Sequence, residues 1–383
     1  MSKIRSRVIL AAVVLLISAG LSRADDAGPV AAFPWLHEGT VLTYSKHAAI
    51  VLGKPVTWKQ DDYGDWIDPR TGRSYDKYIN YGTSAPMLGQ TRILAIDGNS
   101  VALENATFGL EQNLGFADPV LQQPMFQVAD VTSNDYWKSP AVLAGEATDA
   151  GKGILVTHIT WPFRNQRRDA VRIQITNDQL YQSEIYDVQT GICLHVASAW
   201  VSGPNADTHI TRSDLIRTRD LAIPWSGEPI PQSVLSLNSM HYVGQLKKGV
   251  AFARLAPQPV TIDFIAKNRG QRWIWFDTKA TVSGLMVATP PFVYGPGEFC
   301  GLWIGPKAAA SFQQGQILDE DPDTKMKTVV SKINGQSVEI TSSNMSSGRA
   351  CVYDLATGIQ TAWAEYDRPT QTTQTMQRQM SGQ

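Results

Sequence analysis

Histidine is the one side chain that ordinarily changes charge near neutral pH, so the six histidines come first. Five of them, His37, His47, His158, His195 and His209, fall in the N-terminal part of the chain. His158 and His195 sit in β-branched, alternating runs that read as strands. There a metal or acid–base role competes with that of an ordinary hydrogen-bonded histidine. Carboxylates cluster twice, at Asp61, Asp62, Asp65 and Asp68 and at Asp319, Glu320, Asp321 and Asp323. Calcium takes several oxygens from one loop, but neither cluster has the interior Gly and terminal Glu of a calcium loop. Exposed hairpin tips are the simpler reading, and no metal is expected. Arg164, Arg167, Arg168 and Arg172 form a local basic patch, suited to a solvated loop or to an anionic glycan or lipid headgroup.

The familiar catalytic signatures are missing. There is no Gly-x-Ser-x-Gly elbow, no His-Glu-x-x-His, no phosphate-binding glycine loop and no dinucleotide fingerprint, so no cofactor is expected. His37-Glu38 begins a zincin-like pair that no second histidine completes, and Ser74-Tyr75-Asp76-Lys77 matches Ser-x-x-Lys on the arm of a hairpin rather than at a helix start. The three cysteines, Cys193, Cys300 and Cys351, contain no Cys-x-x-Cys for zinc. Cys300 and Cys351 are both confined to the C-terminal part and are the disulfide candidates, leaving Cys193 as a buried thiol. Among the tryptophans, Trp137 and Trp303 recur in one context, each with Pro three residues later, and read as core anchors. Trp35, Trp58, Trp66, Trp161 and Trp225 neighbour prolines or glycines in expected loops, where aromatic rings stack on sugars or apolar ligands or close the end of a barrel. Trp35, Trp58, Trp66, His158 and His195 are the candidate ligand-binding residues.

The elements that must position these residues come from a duplication. Tyr136-Trp137-Lys138-Ser139-Pro140-Ala141 recurs as Leu302-Trp303-Ile304-Gly305-Pro306-Lys307, and Tyr186-Asp187-Val188-Gln189-Thr190-Gly191-Ile192 as Tyr353-Asp354-Leu355-Ala356-Thr357-Gly358-Ile359. The two offsets are 166 and 167 positions, far longer than a solenoid unit, which implies two modules of one ancestry. A weaker match sets Ile93 to Leu103 against Ile262 to Ile274. The expected organisation is a signal peptide at 1–24, a first β module at 25–225 with an insertion at 53–87, a linker at 226–234 rich in Pro and Gly, and a second β module at 235–383. Asp-x-x-Thr-Gly occurs at Asp68 to Gly72, Asp187 to Gly191 and Asp354 to Gly358, with a near copy at Asp321 to Lys325. Asp caps the turn amides and Gly takes a positive φ, so each reads as a four-residue hairpin loop. Short helices are expected only at Pro140 to Gly145 and Pro306 to Phe312, each with Pro in the first turn. The fold class is therefore mainly β: two tandem modules of antiparallel hairpins, bent sheets or partial barrels, each with a short helix.

Charge and the N-terminus bound the function. Lys plus Arg (34) nearly balance Asp plus Glu (35), which argues against a nucleic-acid footprint. Lys3, Arg5 and Arg7 precede the apolar run Val8 to Ile17, and Ser22-Arg23-Ala24 presents small residues for cleavage before Asp25. This is the pattern of a secretory signal without a lipid-attachment cysteine, too short to span a bilayer, and it places the mature chain in the periplasm or outside the cell. No transmembrane segment is expected. The reading that follows is a non-enzymatic exported or envelope-associated binding protein for an apolar or glycan ligand or another envelope protein. The alternative is a secreted hydrolase with its site in the first module.

Overall fold

The computed structural model describes residues 33–51, 59–60, 66–67, 87–110, 118–122, 124–177, 180–202, 207–250, 253–254, 256–368 and 371–379. The expected signal peptide lies outside these residues, as do Trp58, the Asp61 to Asp68 cluster, the Asp68 to Gly72 turn and the Ser74 to Lys77 motif; of the insertion only two short strands are described.

The strands are β1 (Thr40–Val51), β2 (Lys59–Gln60), β3 (Trp66–Ile67), β4 (Met87–Asp97), β5 (Ser100–Gly109), β6 (Val120–Leu121), β7 (Met125–Asp130), β8 (Ile154–Phe163), β9 (Gln166–Thr176), β10 (Leu180–Asp187), β11 (Cys193–Ser202) and β12 (Asp207–Asp220). They continue as β13 (Ser239–Val250), β14 (Ala253–Arg254), β15 (Gln258–Arg269), β16 (Ile274–Val282), β17 (Leu285–Val287), β18 (Phe292–Tyr294), β19 (Ile317–Glu320), β20 (Lys327–Ile333), β21 (Ser337–Ser343), β22 (Ser347–Asp354), β23 (Gln360–Asp367) and β24 (Thr372–Gln379). Helices are α1 (Pro140–Gly145), α2 (Gln232–Leu235) and α3 (Pro306–Ala309).

Two large antiparallel sheets and a separate β2–β3 pair result, and neither large sheet is closed into a barrel. The first runs β6-β5-β4-β1-β12-β11-β10-β9-β8 with β7 also on β5; the second runs β17-β16-β15-β13-β24-β23-β22-β21-β20-β19 with β18 on β16 and β14 on β13. The shared order sets β1 against β13, β4 against β15, β5 against β16, β7 against β18, and β8 to β12 against β20 to β24. Trp137 bridges to Ile192 and Trp303 to Ile359, so the repeated motifs meet in the same way in both modules. Both tryptophans are fully buried anchors.

The turn chemistry is local. Asp187 Oδ1 accepts from the amides of Gln189 and Thr190 at 2.8 Å, and the Gly191 amide donates to the Asp187 carbonyl at 2.8 Å. Asp354 Oδ1 accepts from the Thr357 amide at 2.8 Å. Gly191 and Gly358 have φ of 71° and 73°, the left-handed region that a side chain disfavours. At the near copy Lys325 occupies the equivalent place, with φ of 59°.

Each sheet encloses its own core, but the modules are not separate. Leu42 and Tyr44 of β1 pack in the first core while Val41, on the other face of the strand, belongs to the second. Residues 40–44 of β1 and 88–91 and 93–95 of β4 are buried on both faces, and Val41 joins the second core. A third cluster joins Leu94, Ala95 and Ala102 to Trp273 and Val293, and Phe126 meets Phe292 edge-on at 5.0 Å. The Gly297 amide donates to the Leu94 carbonyl at 2.7 Å.

Residues 226–234, expected as a linker, form a packed strap. The prolines do interrupt the ladders, but Ile230 and Val234 are buried, Pro231 caps α2, and Trp225 is fully enclosed by Phe299 and Phe312 with its indole donating to the Pro296 carbonyl. The apolar residues between the prolines account for this, because they gain more by burial than by exposure.

Candidate functional site

A shallow polar groove of about 470 Å³ lies on the β8–β9 hairpin, where the Asp187–Gly191 turn folds over β9. The Val188 amide donates to the Asp169 carbonyl at 2.9 Å and holds the turn there. Gln166, Arg167, Arg168, Asp169 and Gln189 line the groove, and it continues into a second depression of about 400 Å³ bordered by His158, Thr160 and Asp169. His158 pairs with Val171 and Thr160 with Asp169 across the ladder, so strand alternation puts both β8 residues on the groove face. Asp187, buried, serves the turn with one oxygen and approaches Arg168 with the other at 3.7 Å. Arg168 also reaches Gln189 at 3.4 Å, yet its buried Nε–H has no acceptor. Arg167 is exposed and makes no ion pair among the described residues. Two guanidiniums beside amide and hydroxyl groups are suited to a carboxylate or sulfate on a polyhydroxylated ligand.

A buried charge network lies further along the first sheet, between β11 and β12. His195 Nδ1 lies 2.7 Å from Asp214 Oδ1, and Arg212 Nε donates to Asp214 Oδ2 at 2.7 Å. Burial pushes the Asp214 carboxyl up, but the His195 hydrogen bond and the Arg212 charge outweigh it and hold it below its ordinary value. His195 is fully buried, with Trp161 tilted against it at 5.1 Å between ring centres. The imidazole is oriented as a catalytic base would be, but water does not reach it. The network ties β11 to β12 inside the sheet.

Of the expected ligand residues, the described side chains of Trp35, His158 and His195 lie apart. His158 borders the groove and His195 lies in the β11–β12 network. Trp35 packs edge-on against Trp137 at 5.6 Å and donates to the Thr190 carbonyl at 2.8 Å, closing the end of the first core. Trp66 begins β3. The basic patch divides: Arg167 and Arg168 enter the groove, Arg164 binds the Ile216 carbonyl at 2.7 Å, and Arg172 lies 3.4 Å from Thr157. The remaining histidines are placed by neighbours, His37 by Asp220, His47 by Ser45, His209 by the Trp200 ring and His241 by Asp263.

The acidic cluster at 319–323 holds the modules together. Arg219 makes a bidentate pair with Asp319 at 2.6 and 2.9 Å and reaches Asp321 at 3.0 Å. Gln90 donates to Asp321 at 2.6 Å, and Arg217 to Asp323 at 2.8 Å. Among the described residues no group of three or more His, Cys, Asp or Glu side chains is arranged to hold a metal ion, and no helix is long and apolar enough to cross a membrane.

Sequence reasoning missed Thr160, Asp169 and Gln189. The one available signal was the overlap of the basic patch with the Asp187 turn, which only a β9–β10 pairing brings together. Compared with known proteins, the chain matches no family model and no curated protein.

Proposed function

We propose that the protein is an exported, non-enzymatic binding protein whose first module takes an anionic glycan in the β8–β9 groove. The observation that carries this reading is the exposed Arg167, with no ion pair among the described residues, beside the partly exposed Arg168 in an open groove otherwise lined by hydroxyl, amide and carboxylate groups. Asp169 in the groove disfavours a ligand of uniform negative charge and favours sugars carrying separated acidic groups. A hydrolase reading would need the His195–Asp214 pair to meet substrate, and His195 is sealed from solvent. Export rests on the Lys3 to Ala24 pattern.

The test uses chain recovered from the periplasm or medium, with a mature N-terminus expected at Asp25. Titration calorimetry with a sulfated dextran oligosaccharide and its neutral counterpart should show tighter binding of the sulfated form, weakening with salt. Arg167→Ala should reduce affinity about tenfold, one charge-assisted hydrogen bond of ~1.4 kcal/mol. Equal binding of both oligosaccharides, or an Arg167→Ala variant that binds as the parent does, would refute the assignment.

A further inference from the structure

Cys300 and Cys351 lie 51 positions apart in sequence and meet in the second core. The geometry points to a thiol–disulfide redox pair at Cys300 and Cys351, closed by a disulfide-bearing oxidant. Neither residue has a cysteine at its counterpart in the first module, where Glu184 stands in place of Cys351 and Asn134 in place of Cys300.

Several contacts fix the pair. Cys351 and Tyr353 alternate onto the buried face of β22. The Tyr353 hydroxyl lies 3.2 Å from the Phe299 carbonyl and 2.9 Å from that of Gly301, and so pins the backbone on both sides of Cys300. Gln360 Nε2 adds a hydrogen bond to the Gly301 carbonyl at 3.2 Å. Cys351 Sγ lies 3.6 Å from the Cys300 carbonyl, and Cys300 Sγ lies 4.0 Å from the carbonyl of Ile340, the ladder partner of Cys351. Both are free thiols, Cys351 fully buried and Cys300 partly exposed.

This asymmetry assigns the order of events. The Cys300 thiolate attacks the oxidant's disulfide, forming a mixed disulfide and releasing one oxidant thiol. The Cys351 thiolate then attacks the Cys300 sulfur and releases the second. Both protein protons end on the two oxidant thiols, the protein dithiol is oxidised, and the oxidant disulfide is reduced. The neighbouring Cys351 thiol and burial push the Cys300 thiol up, whereas Cys351, against its burial, is held down by the Cys300 thiol and the Arg349 guanidinium, so access rather than acidity makes Cys300 the attacking residue.

The test incubates the folded, reduced chain with oxidised glutathione, denatures it without reductant and counts alkylated thiols by intact mass. The expected result is one labelled thiol, Cys193, and a chain lighter by two hydrogens with no glutathione adduct. Cys193→Ser should then leave none, whereas Cys351→Ser should stop at a glutathione adduct on Cys300. Because a cysteine variant can fail to fold, the parent chain decides the matter. Three labelled thiols, a persistent adduct on the parent, or disulfide-linked dimers would each overturn the pairing.

Discussion

Gly191 and Gly358 each occupy a crowded point as well as a left-handed one. A Cβ on Gly191 would collide with the Lys138 carbonyl oxygen, and one on Gly358 with that of Ile304. Those same segments approach because the Lys138 and Ile304 amides donate to the two glycine carbonyls at 2.9 Å. Replacing either glycine by Val should therefore destabilise by roughly 1 kcal/mol or more, since conformational strain and a lost turn-to-anchor contact act together. Urea unfolding of the two variants checks this, and equal stability to the parent would count against the shared architecture. These positions were legible in the sequence because a tight turn imposes its requirements within five residues. The two strand histidines show the opposite case. His158 and His195 read alike, as polar residues in β-branched strands, yet one borders an open groove and the other is buried. Which face of a bent sheet meets solvent depends on neighbours four strands away, and local alternation does not encode it.

Strands β1, β4 and β12 carry a second role that pattern reading could not assign. The contacts of Arg219 with Asp319 and Asp321 join residues about a hundred positions apart. The acidic run at 319–323 read as a solvated tip for that reason. Asp321 is nearly inaccessible and the Arg219 and Asp319 side chains are 16% exposed, so the cluster behaves as a buried pair rather than a surface one. Arg219→Ala strands two carboxylates against the second sheet and should destabilise by about 3 kcal/mol, measured by chemical denaturation at neutral pH. Asp321 also gives the clamp a pH dependence. Burial raises its carboxyl, but the Gln90 hydrogen bond, the turn amides and Arg219 prevail and bring it below its ordinary value of 3.8. Its contribution is present above that value and is lost as pH falls through the lower folded one. Asp321→Asn should therefore be less stable than the parent at neutral pH, and urea titrations should show that difference shrinking as pH falls below 3.8.

Across the whole molecule, the seam between the sheets contains one ionisable group held against its usual state. Glu298 is buried, its Oε1 lacks a hydrogen-bond partner, and it faces Glu104 and Arg92 of the first module and Arg349 and Cys351 of its own. Burial, reinforced by Glu104, pushes its carboxyl up from 4.5 to about 8. The folded chain then keeps a proton that the unfolded chain releases, so stability is greatest below 4.5 and declines as pH rises through 8. Glu298→Gln cannot ionise and should remove that decline. Its stability relative to the parent should rise between pH 5 and pH 8.5 in urea titrations, and a difference independent of pH would show that Glu298 is ionised in the fold.

The pairing of each module's first long strand with its last has a kinetic consequence. β1 joins β12 and β13 joins β24, so neither sheet can complete its order until its final strand has been added. The second sheet is further constrained, because Val41, Gln90 and Arg219 of the first pack or hydrogen-bond against it. Closure thus waits on the longest loops in the chain, and ladders built from distant segments form slowly. Maturation should proceed from the N-terminal half onward, with the C-terminal half exposing unpaired edges until β24 docks.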